Sequence, residues 1–305
     1  VNIAALMLAL TLGQSSAPYV RSRVDVEDSG SQCLFWTVPK ITWYQSSAGN
    51  PATKPAGSEF EAVRRSFQSW QNIFSECGNL SFEDGGLVDE RSVGYEVNGT
   101  NRNVVLFRTR SCMAVVPNGS NNACMTDESC ENVYDCWDDI PKKNGGSKSG
   151  TIAVTLTTYD EKSGIIYDSD IELNSVYFTF TTADSPPCGP LVTTNCVSTD
   201  VQNTMTHEIG HFVGLDHTDA IGSTMNPRAN TGEVSKRTID SGSSDFVCNT
   251  YPKGDVSKAC IHTAADPDLG KKGKSGCATA GAEAWLPALA GWALLLARRR
   301  RGERS

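Results

Sequence analysis

Residues 207–217 read His-Glu-Ile-Gly-His-Phe-Val-Gly-Leu-Asp-His, and this run constrains the fold more tightly than any other part of the chain. His207 and His211 are four positions apart, so on a helix they stand one turn above each other and both rings reach one metal ion. Glu208 lies beside them, placed to address a water on the metal rather than the metal itself. Gly214 is expected to end the helix, because a residue without Cβ takes the left-handed conformation that turns a chain at a helix C-terminus. That turn returns His217 as a third ligand. Three protein ligands leave the fourth tetrahedral position open, the arrangement of a catalytic rather than a structural zinc.

The run resembles the signature of the metzincin metalloproteases, His-Glu-x-x-His-x-x-Gly-x-x-His followed by a methionine turn. Met225, within Ser-Thr-Met-Asn-Pro at 223–227, fits that turn, and its short distance from His217 is similar to the matrixin-like branch. Pro227 stands where astacin-like and serralysin-like relatives carry a tyrosine, so no switch tyrosine is expected. Matrixins hold a second, structural zinc with upstream histidines. This chain has 4 histidines, three of them in the motif and the last at His262, so one zinc is the expectation. The resemblance implies a zinc endopeptidase in which His207, His211 and His217 bind the metal and Glu208 is the general base. The rival reading is a noncatalytic surface adhesion or binding protein that keeps this fold.

The fold class expected is α+β: a twisted, mostly parallel sheet, an active-site helix, and a small C-terminal subdomain after it. Lys40–Gln45 alternates as a strand, with Ile41 and Trp43 against Thr42 and Tyr44. Phe60, Val63, Phe67, Trp70 and Phe74 recur at helical spacing after a Ser58/Glu61 capping box, and Gly78 marks the end. Further strands are expected at Leu80–Glu83, Asn103–Arg108 and Thr151–Thr157, with an extended stretch over Asp170–Thr181. The zinc helix is expected over Ser198–Val213, capped by Ser198 or Thr199, with Val201, Met205, Ile209 and Phe212 buried. A last helix falls within Asp240–Pro252. Between the halves, a cleft should bind an extended peptide along an edge strand.

Residues 167–172, Tyr-Asp-Ser-Asp-Ile-Glu, cluster carboxylates near where matrixins place calcium, so Asp168 and Asp170 are candidate calcium ligands. Ile171 stands at the family's usual glutamate position, which favours reading these side chains as solvated loop carboxylates. The 11 cysteines, without any Cys-x-x-Cys metal pattern, point to disulfides in an oxidising compartment. Ten fall between Cys33 and Cys260. Pairing is not fixed by sequence, although Cys188 with Cys196 and Cys248 with Cys260 would close small loops. Cys112, Cys124, Cys130 and Cys136 are expected to staple an insertion over 111–150. Cys33 as a latency switch is disfavoured against a structural disulfide, and no prodomain cysteine motif is present.

The ends suggest a location. Residues 1–17 read as a signal peptide lacking its basic start, and 30–262 as the catalytic domain, with 263–276 a linker. Residues 277–305 combine Cys277, a twenty-residue span with one charge (Ala278–Ala297) and Arg298–Arg301. They resemble the sorting tails of myxobacterial cell-surface proteins, which implies processing or lipidation at Cys277 and a membrane tether with the domain outside. The formal charge is −8, and residues 298–305 supply +4 (five Arg, one Glu), leaving −12 on the remainder. Such an acidic body suits solubility and excludes a nucleic-acid partner. Protein or peptide substrates and a monomeric state are expected.

Overall fold

The computed structural model describes residues 19–110 and 150–261. These belong to a unit that ends at Gly270; the tail with Cys277, the signal segment, His262 and the insertion cysteines lie outside the described residues. Among the described residues no helix is long and apolar enough to cross a membrane.

In chain order the elements are β1 (Val20–Arg21), β2 (Lys40–Ser46), α1 (Glu59–Cys77), β3 (Ser81–Val88), β4 (Asn103–Arg108), β5 (Ala153–Tyr159), β6 (Ile166–Asn174), β7 (Phe180–Thr181), β8 (Thr199–Asp200), α2 (Val201–Phe212), β9 (Leu215–Asp216) and α3 (Ser241–Thr250). The main sheet has the order β3-β2-β4-β6-β5, parallel throughout except for the antiparallel β5-β6 pair. Parallel strands need crossovers, and α1 supplies the one between β2 and β3. A mostly parallel sheet with few helices agrees with the expected architecture. Two short pairs complete it, β1 with β9 and β7 with β8.

The aromatic stripe of α1 forms the core as its spacing implies. Phe67 stacks on Trp43 of β2 at 4.0 Å and meets Phe212 of α2 edge-on at 5.8 Å, joining sheet and zinc helix. Trp70 is fully buried and its indole N–H donates to the Thr206 carbonyl of α2 at 2.9 Å. Truncating such a residue to alanine costs about 3–5 kcal/mol. The capping box is not made: Ser58 is itself helical and its hydroxyl donates to the Pro55 carbonyl. Glu59 takes the acidic role instead, accepting the Asn50 amide at 2.9 Å.

Three disulfides join described residues: Cys33–Cys260, Cys77–Cys248 and Cys188–Cys196. The last is the short loop expected from sequence. Cys248 and Cys260 do not pair with each other, because α3 packs against the end of α1, where Cys77 sits, and leaves Cys260 to Cys33. Cys33 is therefore a structural half-cystine.

Burial overturns the loop reading of the acidic cluster. Asp168, Asp170 and Glu172 lie on β6, a strand paired on both edges, and each is at most 2 % exposed. Asp170 accepts the Val104 and Gly94 amides, both at 2.7 Å, and Glu172 pairs with Arg108 of β4 at 3.0 Å. Burial, reinforced by the Asp170 charge, pushes the Asp168 carboxyl up to about 8.

Candidate metal centre and cleft

Helix α2 begins at Val201, three residues after the expected start at Ser198. The Ser198 amide donates to the Thr181 hydroxyl and Thr199–Asp200 pairs with the Phe180–Thr181 strand, so Asp200 becomes the N-cap and accepts the Asn203 amide at 2.6 Å. Arg237, in the 3-10 turn Ser235–Arg237, grips the same carboxylate through Nε at 2.8 Å and Nη2 at 2.5 Å. Val201, Met205, Ile209 and Phe212 are all buried. The last carbonyls of a helix lack intrahelical partners. Here the Trp36 indole donates to the Phe212 carbonyl at 2.7 Å and the Tyr251 hydroxyl to that of Val213 at 2.6 Å.

Gly214 has φ +100°, and its amide bonds the His211 carbonyl at 2.8 Å. A Cβ there would meet the Leu34 carbonyl oxygen at 2.4 Å, so both conformation and space require glycine. From this turn the chain runs back through β9, and His217 meets the two helical histidines. Its Nε2 lies 3.2 Å from Nε2 of His207 and 3.1 Å from Nε2 of His211. Two nitrogens about 2.0–2.1 Å from a tetrahedral zinc stand roughly 3.3–3.4 Å apart, so the spacing suits that ion.

The far side of two rings fixes their tautomer. His207 Nδ1 lies 2.7 Å from the Thr224 carbonyl and His211 Nδ1 2.8 Å from that of Leu215. A carbonyl only accepts, so each Nδ1 carries the proton and each Nε2 turns a lone pair inward. Burial, then the neighbouring imidazole of His211, holds His207 well below its ordinary range; burial, then His217, lowers His211 to about 4. His217 is lowered too, chiefly by burial. Three neutral imidazoles with converging lone pairs repel unless a cation sits among them. Among the described residues this is the one group of three or more such side chains close enough to share an ion.

Met225 is 1 % exposed beneath this group, and a Cβ on Gly210 would stand 2.2 Å from its sulfur. Asp240 ties the turn down. Its Oδ2 accepts the Thr224 amide at 2.8 Å and the Ser223 and Ser243 hydroxyls, while Oδ1 caps α3. Burial raises its carboxyl, but the hydrogen bonds from Ser243 and Thr224 outweigh that and hold it below the ordinary value.

Glu208 is 5 % exposed, and its Oε2 accepts the Thr155 hydroxyl of β5 at 2.7 Å. Burial pushes its carboxyl up to about 7 against the lowering effect of that bond. Together these residues line a cleft of about 830 Å³ between β5 on one side and the 226–230 segment with Lys236 on the other. Lys236 is 5 % exposed and its ammonium is held by the Arg228 carbonyl and Glu233.

The structure thus gathers His207, Glu208, His211, His217, Gly214 and Met225 in one place. Asp168 and Asp170 sit on β6, outside this cleft lining. Thr155, Gly210, Thr224, Lys236, Arg237 and Asp240 were not found by sequence reasoning. Gly210 and Thr224 occupy unspecified positions of the motif and of the methionine turn, and the others lie too far along the chain for spacing to connect them.

A family model described as Matrixin (Peptidase_M10) matches residues 146–251, from just before β5 through α3. No curated protein matches the chain. Over these residues the chain is similar to the matrixins, and that similarity, with the histidine triad, supports a metallopeptidase.

Proposed function

We propose that this protein is a secreted zinc endopeptidase retained at the cell surface, which hydrolyses peptide bonds in protein or peptide substrates. The observation that carries the reading is the convergence of three imidazole Nε2 atoms, those of His207 and His211 lying 3.2 and 3.1 Å from that of His217, beside a carboxylate in an open cleft. A neutral three-nitrogen set fits zinc, and the protein ligands His207, His211 and His217 leave room for a further one. Zinc, when bound, polarises the scissile carbonyl and acidifies the attacking water.

The remaining work falls to the chain's own residues. Among the described residues β5 is the terminal strand of the sheet, and residues 150–155 line the cleft, so an extended peptide laid on its outer edge would add a strand. Glu208 takes the proton of the attacking water and passes it to the leaving amine. Burial, which raises its carboxyl, favours its accepting a proton. The Thr224 and Leu215 carbonyls orient the imidazoles of His207 and His211.

Secretion and tethering rest on the signal-like residues 1–17, the disulfides, and the Cys277 tail with its apolar span and arginines. Incubating the purified protein with a peptide library tests the chemistry. Cleavage is expected, abolished by chelation and by Glu208→Gln with zinc still bound. Full activity of Glu208→Gln would overturn the assignment of the base, and no cleavage by the zinc-loaded protein would overturn the endopeptidase reading.

A further inference from the structure

Thr155 brings a hydroxyl from the substrate-side strand to the side chain beside the zinc ligands. Its Oγ1 lies 2.7 Å from Glu208 Oε2 and 3.1 Å from the Glu208 backbone oxygen. One hydroxyl has one proton to give. The carboxylate is the shorter contact, and bonds to a charged acceptor are the stronger, so the proton goes to Oε2. Among the described residues no other group hydrogen-bonds the Glu208 carboxylate, so Oε1 has no partner there, on a residue that lines the cleft. A glutamate side chain has three torsions to fix. Packing holds the stem of this buried residue, but only the Thr155 hydroxyl fixes the orientation of its carboxylate plane.

Threonine is a common strand residue for its branched shape alone. Valine would serve a strand equally well, and it lacks the proton. The contact joins positions 53 apart, from the terminal strand of the sheet to the zinc helix. The backbone that would receive the peptide and the hydroxyl that holds the carboxylate therefore belong to one residue. A shift of β5 would move both together.

We infer that Thr155 is a positioning residue, which donates a hydrogen bond to Glu208 Oε2 and so presents Oε1 to the attacking water. The inference rests on the hydrolytic reading above. During attack, the water oxygen bonds to the scissile carbon while its proton passes to Oε1. That proton then goes to the amine as the carbon–nitrogen bond breaks. Thr155 keeps its own proton throughout.

The test compares Thr155→Val and Thr155→Ser in the full chain, zinc-loaded, for kinetics, zinc content and the Glu208 conformation in crystals. Thr155→Val should lower kcat by about ten- to a hundredfold, the range for losing a bond to a charged group. KM should stay within about twofold and zinc content unchanged, since this bond neither binds peptide nor ligates metal. Thr155→Ser, which restores the hydroxyl, should recover most of kcat. In crystals of Thr155→Val the Glu208 carboxylate should leave its position or split between rotamers, while Thr155→Ser keeps it in place. Wild-type kcat in Thr155→Val, or equal losses in the valine and serine variants, would overturn the inference. If the wild-type protein cleaves nothing, the hydrolytic reading fails, and the positioning claim is decided by the crystals alone: an unmoved Glu208 in Thr155→Val overturns it.

Discussion

Gly210 and Met225 share one space: the Met225 sulfur lies 2.2 Å from where a Cβ on Gly210 would stand, and Trp70 closes the same point at 3.4 Å. Met225 is fully buried, so its thioether has no free volume to retreat into. Gly210→Ala should therefore overpack the region under the histidines, destabilising by about 1–3 kcal/mol. A drop in melting temperature of several degrees is the expected readout. An unchanged melting temperature would show that the turn yields.

The metal should survive moderate acid. Free imidazoles compete with protons near their ordinary value of about 6.5. Here burial lowers all three, His211 to about 4, so the lone pairs stay available as pH falls below that value. Zinc content after dialysis should be unchanged between pH 7 and 6. Loss already at pH 6 would contradict it.

Asp168 should make stability fall with alkalinity. Its folded carboxyl is raised to about 8 by burial, above its ordinary value, so its contribution is complete at low pH and is lost as pH rises through about 8. Asp168→Asn removes the titration. The variant should match wild type near pH 4–5 and melt higher than it at pH 9. With Asp170 already engaged by two amides and Asp168 buried on the strand, calcium is expected to shift the melting temperature at pH 6 not at all. A clear rise would place a calcium ion at this pair.

The disulfides should differ in worth. Cys77–Cys248 spans 171 residues and Cys188–Cys196 spans 8. By loop-closure entropy the long bridge contributes about 5 kcal/mol and the short one about 2.5 kcal/mol. Paired serine replacement, followed by denaturant unfolding, should show the Cys77–Cys248 variant losing about twice as much. Equal losses would indicate that loop length is not the deciding factor.

Local spacing is what made the zinc helix legible. Four residues separate His207 from His211, and Gly214 marks the turn, so the helical period alone predicts that two rings align and a third returns. The α1 stripe and the Asn103–Arg108 strand follow from the same periodic logic. The capping of α2 did not, because Ser198 and Thr199 satisfy a propensity that bonding to Phe180–Thr181, by the Ser198 amide and by strand pairing of Thr199, overrode. The carboxylates of β6 were misread for a related reason: composition shows their polarity but not that strands on both sides bury them.

By itself, then, the sequence determined the metal-binding pattern, the amphipathic helix and the strand segments, all set by interactions between residues a few positions apart. Only the tertiary structure decided which cysteines pair, that Asp240 anchors the turn under His207, and that Thr155 meets Glu208. Those contacts join positions from 16 to 227 apart, whose approach depends on the packing of the whole sheet against its helices and leaves no periodic trace in the chain.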